Sequence, residues 1–168
     1  MGRDIINLDN VYENNLGMMA KIAKVVYPEV QFEDKFFSEL FPGKNDKRKD
    51  VLMAQIAYYS EIPVATVKLM ILQKKKSDTL NKGVHILIMA VLEQYRGHGI
   101  EEKLVQYAVD QCKKSHQHKL FVHVPVKDQT TIEWYTNQGF HPAETKGEPV
   151  NLKTGETEET IALLKEVA

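Results

Sequence analysis

Residues 95–100, Tyr-Arg-Gly-His-Gly-Ile, place an arginine and two closely spaced glycines at the start of a periodic apolar run. Such a turn aims unpaired backbone N–H groups and the positive end of a helix at one point, and that point favours anions. Glu101 and Glu102 follow at once, bringing two carboxylates to the place where an anion would rest. The same residues also make an ordinary tight turn whose acidic side chains face the helix dipole favourably. The pattern is neither G-x-G-x-x-G nor a Walker loop, so a dinucleotide fold and a nucleoside triphosphatase both fit poorly. His116 and His118 flank Gln117 but have no third ligand nearby in sequence, and Cys112 is the only cysteine. Neither a metal site nor an internal disulfide is expected, which suits a reducing compartment.

The elements that must position this loop can be read from periodicity. "NLGMMAKIAKVVYP" puts Leu16, Met19, Ala23 and Val26 on one helical face and stops at Tyr27-Pro28, because a residue before proline disfavours the helical region. "FEDKFFSELFP" repeats the device with Phe32, Phe36, Phe37, Leu40, Phe41 and a stop at Pro42. "VLMAQIAYY", the turn "SEIP" and "VATVKLMIL" read as a hairpin, and "VHILIMAVL" as a central strand covered on both faces. After the glycine loop, Ile100, Leu104, Val105, Ala108, Val109 and Cys112 form the wide stripe of a long helix. "KLFVHV" is a strand and "TTIEWYTNQG" a short helix, with Thr130 and Glu133 at capping-box spacing and Gly139 at the C-cap. "TIALLKE" is a last strand. The order α-α-β-β-β-α-β-α-β, with a short N-terminal strand allowed ahead of it, predicts an α/β (α+β) domain over residues 1–168 with about four helices.

With 22 Lys plus Arg against 23 Asp plus Glu, the net charge of −1 exerts no global pull on nucleic acid or anionic membrane. Lys44, Lys47, Arg48 and Lys49, and Lys74, Lys75 and Lys76, are local basic clusters. They read as solvated loops or as contacts to ribosomal RNA, and no direct nucleic-acid motif accompanies them. No apolar run approaches the roughly 18 residues of a membrane span, and no apolar signal-peptide core opens the chain. A cytoplasmic location, with the nucleus left open, is expected.

Strand, "YRGHGI", long helix, strand, and then "WYTNQGF" resemble the acetyl-CoA core of the GNAT N-acetyltransferases, whose loop is Arg or Gln, two residues, Gly, one residue, then Gly or Ala. The implied fold is the GNAT fold, a mixed, mostly antiparallel sheet flanked by helices. "VVYPEVQFEDKFF" and "LFVHVPVKDQTTIEWYTNQGF" are similar to segments of the NatE-type N-terminal acetyltransferases, from about residue 4 to the final strand. That resemblance implies transfer of acetyl from acetyl-CoA to the α-amine of proteins beginning with Met. It also implies partnership with the NatA scaffold and catalytic subunits, and through them indirectly with the ribosome. It places His123 as the base, with an unperturbed pKa near 6.5, His85 as a second catalytic group, and Tyr135 beside the leaving sulfur. Met89 and Val91 fall on the strand that pairs with the pantetheine arm. Arg96, Gly97, His98, Gly99, Ile100, Glu101 and Asp128 fall at cofactor-binding positions, and Tyr27, Pro28, Val30 and Phe32 around the first substrate residue.

The chain departs from that pattern at four places. Glu101 stands where the loop ends in Gly or Ala, and His85 replaces a tyrosine. Glu29 is inserted into the segment Tyr27-Pro28-Glu29-Val30. Pro149 and Val150 stand where a tyrosine pair holds the peptide backbone. These departures open a second reading, a GNAT-fold scaffold or regulatory subunit that binds acetyl-CoA poorly.

Overall fold

The computed structural model describes residues 5–42, 51–73, 81–143 and 159–168. The two basic clusters and the Pro149–Val150 segment lie outside the described residues. Seven strands form one sheet in the order β1-β2-β3-β4-β5-β7-β6: β1 Ile6–Asn10, β2 Val51–Tyr59, β3 Ile62–Leu72, β4 Gly83–Val91, β5 Lys119–Pro125, β6 His141–Pro142 and β7 Thr160–Glu166. Among the described residues only β4 and β5 pair in parallel; the other neighbouring pairs are antiparallel. Among the same residues, four α-helices accompany the sheet: α1 Leu16–Val26, α2 Asp34–Ser38, α3 Ile100–Lys114 and α4 Gln129–Asn137. The alternation of helices and strands follows the order expected from the periodicity, and the mixed, mostly antiparallel sheet is the one that the family resemblance implies. None of the helices among the described residues is long and apolar enough to cross a membrane.

Three local readings are corrected. The β2–β3 turn is shorter than "SEIP", because β3 already starts at Ile62, with Ser60 at φ 57° absorbing the reversal. The cap of α4 is Asp128 rather than Thr130: its carboxylate accepts from the Thr131 N–H at 3.2 Å and the Thr131 hydroxyl at 2.7 Å. An aspartate two residues upstream accepts these donors directly and starts the helix earlier. Gly139 follows the C-cap Gln138 and carries the left-handed turn, φ 95°. The two-residue β6 is too short to show a period of two, and no sequence pattern announces it.

The core lies on both faces of the sheet. The α3 stripe, from Ile100 to Cys112, packs with Val67, Leu69, Val84, Ile86, Leu120 and Val122. On the other face Met19, Ile22 and Ala23 of α1, with Phe36 and Phe37 of α2, cover Ala54, Ile56, Ile88 and Ala90. Strand β4 therefore changes phase: Val84 and Ile86 face α3, whereas Ile88 and Ala90 face α1 and α2. The cause is a bulge. Leu69 pairs with Ile86 and Lys68 with Ile88, leaving Leu87 as an extra residue.

The bulge also splits the sheet. Pairing between β4 and β5 extends over Val84, Ile86 and the intervening His85, and stops there. Beyond it Leu92 donates its N–H to Val64 at 2.9 Å, so the even-numbered residues of this stretch bond β3. The backbone groups of Met89 and Val91 consequently face the gap toward β5. An open strand edge lined by main-chain donors and acceptors is a ready template for an extended ligand.

Candidate active site

The gap between β4 and β5 is a cleft of about 960 Å³, at the upper end of sizes typical for small-molecule sites. One wall is β4, through Leu87, Met89 and Val91; the other is the end of β5, through His123, Val124 and Pro125. The segment after α1 supplies Tyr27, Glu29 and Val30, the glycine loop and the first turn of α3 supply Arg96 and Glu101, and the β5–α4 junction and α4 itself bring Lys127, Asp128, Thr131, Trp134 and Tyr135. Both parallel strands thus end at the cleft, the usual position for ligands in sheets of this kind.

The loop owes its shape to its glycines. Gly97 at φ 81° and Gly99 at φ 87° both occupy the left-handed region, and open space surrounds the position of a Cβ at Gly97, so backbone conformation rather than crowding requires glycine there. Gly99 is the N-cap of α3, and Ile100, fully buried, anchors the helix start in the core. Only the backbone of Ile100 is therefore left to face an anion. The Glu101 side chain folds back so that Oε2 lies 3.5 Å from the Gly97 N–H. Its other oxygen, Oε1, is buried without a hydrogen-bond partner. The carboxylate sits where the loop would otherwise present its donor to an anion. His98 leaves the cleft and its ring packs against Tyr59 and Tyr95, with centroids 5.6 and 6.5 Å away.

Deeper in the cleft the side chains are neutral. Burial lowers the His123 pKa, so its imidazole is uncharged at neutral pH, and Nε2 is buried without a partner. Burial raises the phenol of Tyr135 strongly, reinforced by neighbouring Tyr27, and its hydroxyl lies 3.9 Å from Met89 Sδ. Tyr27 crosses from the end of α1 to β4 and donates its hydroxyl to the Met89 carbonyl at 2.9 Å. Burial, opposed by Arg96 and assisted by Asp128 and Glu29, pushes this phenol up to about 12. Arg96 Nε donates to the Val91 carbonyl at 3.3 Å. A neutral base, two protonated phenols and an open strand edge can accept a proton, stabilise a developing negative charge and hold an extended chain.

The structure does not bring every expected residue to this cleft. His85 is fully buried behind it, 6.1 Å from the His123 ring and stacked on Phe121 at 4.8 Å. Its Nε2 lies 2.7 Å from the Asn81 carbonyl, which fixes the proton on that nitrogen, and burial lowers its pKa to about 4. An α-ammonium is a weaker acid than such an imidazolium by about 4 units, so direct proton removal by His85 is uphill by roughly 5 kcal/mol. Phe32 belongs to an aromatic cluster with Phe36 and Phe37, centroids 5.5 Å from each, and like Pro28 does not line the cleft. Leu87, Lys127 and Trp134 line it without having been singled out. The signal for Lys127 was present: "VKDQTT" is a second strand-to-helix junction, like the one after β4.

Comparison with known proteins bears on the family and the fold. Residues 17–140 match the acetyltransferase (GNAT) family. The chain is 27% identical over 146 residues to N-alpha-acetyltransferase 50 of Danio rerio, covering 84% of this chain and 77% of that protein. It is 28% identical over 148 residues to the probable N-acetyltransferase san of Drosophila melanogaster, covering 87% and 73%. Among solved structures, Arabidopsis thaliana Naa50 in complex with the bisubstrate analogue CoA-Ac-MVNAL superposes with a TM-score of 0.72 at 24% identity, covering 96% of this chain and 99% of that one. Arabidopsis thaliana NAA60 in complex with acetyl-CoA gives 0.72 at 18% identity, covering 96% and 98%. Since the family match spans well over half of its residues, this chain belongs to the acetyltransferase (GNAT) family.

Proposed function

We propose that the chain is an N-terminal α-acetyltransferase that moves acetyl from acetyl-CoA to the α-amine of proteins beginning with Met, within a NatA/NatE-type assembly in the cytoplasm. The observation that carries this reading is His123: a neutral imidazole with an unpartnered Nε2, facing a cleft whose opposite wall is an open strand edge. The relatives named N-alpha-acetyltransferase 50 and the Naa50 complex with a Met-starting analogue support the acceptor class.

The cleft fits the donor in kind. An extended arm with amide groups matches the backbone that Met89 and Val91 turn toward the gap, and Arg96 and Lys127 bring positive charge to the cleft lining. Bound acetyl-CoA supplies a thioester whose carbonyl is open to attack by an amine. His123 Nε2 accepts a proton from the attacking amine as the amine's C–N bond forms and the thioester C–S bond breaks, with coenzyme A leaving as the thiolate. The raised pKa of Tyr135 makes it a poor acid, so it steadies a departing thiolate by hydrogen bonding rather than by full proton transfer. The acceptor end enters between Tyr27 and Val30, where Glu29 stands at the mouth. The test is acetyl transfer to peptides with a free Met N-terminus, compared with other N-termini and with N-blocked peptides carrying lysine. Preference for the Met peptides is expected; equal transfer to the N-blocked lysine peptides would sink the assignment.

Glu101 favours a second reading, a NatA-docking subunit with little turnover. A carboxylate about 4 Å from a phosphate charge repels it by up to roughly 4 kcal/mol at an effective dielectric of 20, and rotation of the side chain lowers that figure. Calorimetric titration with acetyl-CoA should show Glu101→Gly binding about tenfold to a hundredfold more tightly than the unaltered chain. Equal, micromolar binding by both proteins would remove the basis of this reading.

A further inference from the structure

We propose that Tyr27 gates the donor half of the cleft: its hydroxyl occupies the Met89 carbonyl that an amide of an extended ligand must take in order to pair with β4. The inference rests on the acyl-CoA reading above and goes beyond it, because the position is otherwise assigned only to the acceptor pocket.

Three observations support it. The β4 edge is open beyond Ile86, and Met89 directs its backbone groups into the gap, so this carbonyl has no strand partner there. The bond that satisfies it comes from 62 residues away in sequence, at 2.9 Å, whereas the Val91 carbonyl next along the edge accepts a longer contact of 3.3 Å from Arg96. Tyr27 also sits at the C-terminus of α1, where its own N–H is held by Ala23 at 2.9 Å, so the backbone is fixed and displacement of the phenol is a movement of the side chain. Because burial holds the phenol up to about 12, it remains a protonated donor throughout the physiological range and does not leave the carbonyl by ionising.

A ligand with amide N–H groups must therefore exchange one hydrogen bond for another at Met89, and part of its binding energy goes into displacing the phenol. A ligand without amides does not meet this competition. Coenzyme A carries two amides in its arm; adenosine 3′,5′-bisphosphate resembles its nucleotide end and carries none.

Calorimetry of the full chain and of Tyr27→Phe with these two ligands tests the gate. The phenylalanine keeps the ring and removes the competing donor, so Tyr27→Phe should bind coenzyme A about three- to tenfold more tightly and the bisphosphate equally well. Unchanged or weaker coenzyme A binding by the variant overturns the gate and leaves the acyl-CoA reading intact. Equal tightening for both ligands also overturns it, because a general loosening of the cleft then explains the gain. Absence of coenzyme A binding by both proteins overturns the acyl-CoA reading and the gate with it.

Discussion

Lys68 and His123 are polar groups set into the same sheet, and they are completed in opposite ways. Lys68, on β3, is fully buried, yet its ammonium meets the Phe36 carbonyl at 2.6 Å, the Glu39 carboxylate at 2.6 Å and the face of the Phe36 ring at 3.9 Å. In the cleft, His123 Nε2 and Glu101 Oε1 are buried with no partner, as is His85 Nδ1 just behind it. A buried polar atom left unpaired costs about 1–3 kcal/mol, so a fold tolerates several together only where something else is gained. The satisfied site holds α2 to the sheet; on the proposed function the unsatisfied one is a place for a ligand. That contrast separates a structural charge from a functional one better than residue type does, since lysine and histidine are both common catalytic groups.

The contrast can be broken at either end. The largest expected effect is at His123: replacement by Gln should lower kcat/KM by about 10²- to 10⁴-fold while leaving the urea midpoint near that of the unaltered chain. Since burial lowers this pKa, the acidic limb of the pH–rate profile should fall below pH 6.5, and it should vanish in the variant. At the satisfied site, Glu39→Ala removes the 2.6 Å carboxylate contact from the buried Lys68 ammonium. It should destabilise the fold by about 3–5 kcal/mol, measured by urea unfolding. A loss under about 1 kcal/mol would mean that the pair is not the fastener described.

His85 lies between the two cases and has the smallest effect. Its folded pKa, about 4, is below the unfolded value of 6.5, so the unfolded chain binds this proton more tightly. The stability associated with neutral His85 is therefore complete above pH 6.5 and is lost as pH falls toward 4, by about 3 kcal/mol in all. His85→Phe should shrink the acid-induced loss across that window by about this amount; an unchanged pH dependence would show that the ring is not buried uncharged.

Much of the fold was legible because its elements carry strong local periods. Strand β2 and the α3 stripe stand where the apolar pattern put them, since a two-residue or 3.6-residue repeat reports directly which side chains one face buries. The cleft was legible only in part. Arg96, Glu101, His123 and Tyr135 reach it together, whereas His85, placed at the site by the family resemblance, lies behind it. The apolar run from Val84 to Leu92 has no interruption at Leu87, so nothing in it marks the bulge that reverses the faces of β4. Nor could spacing show that Asp128 is engaged as a helix cap while it also borders the cleft.

By itself the sequence determined the element order, the glycine loop with its left-handed backbone needs, and the acidic residue that breaks the loop's pattern, because each depends on neighbours within a few residues. Only the tertiary structure decided which polar atoms are left unpaired. The Glu39 carboxylate reaches Lys68 across 29 residues and the Tyr27 hydroxyl reaches Met89 across 62. Whether such groups meet depends on the register of β4 after its bulge and on how far it parts from β5.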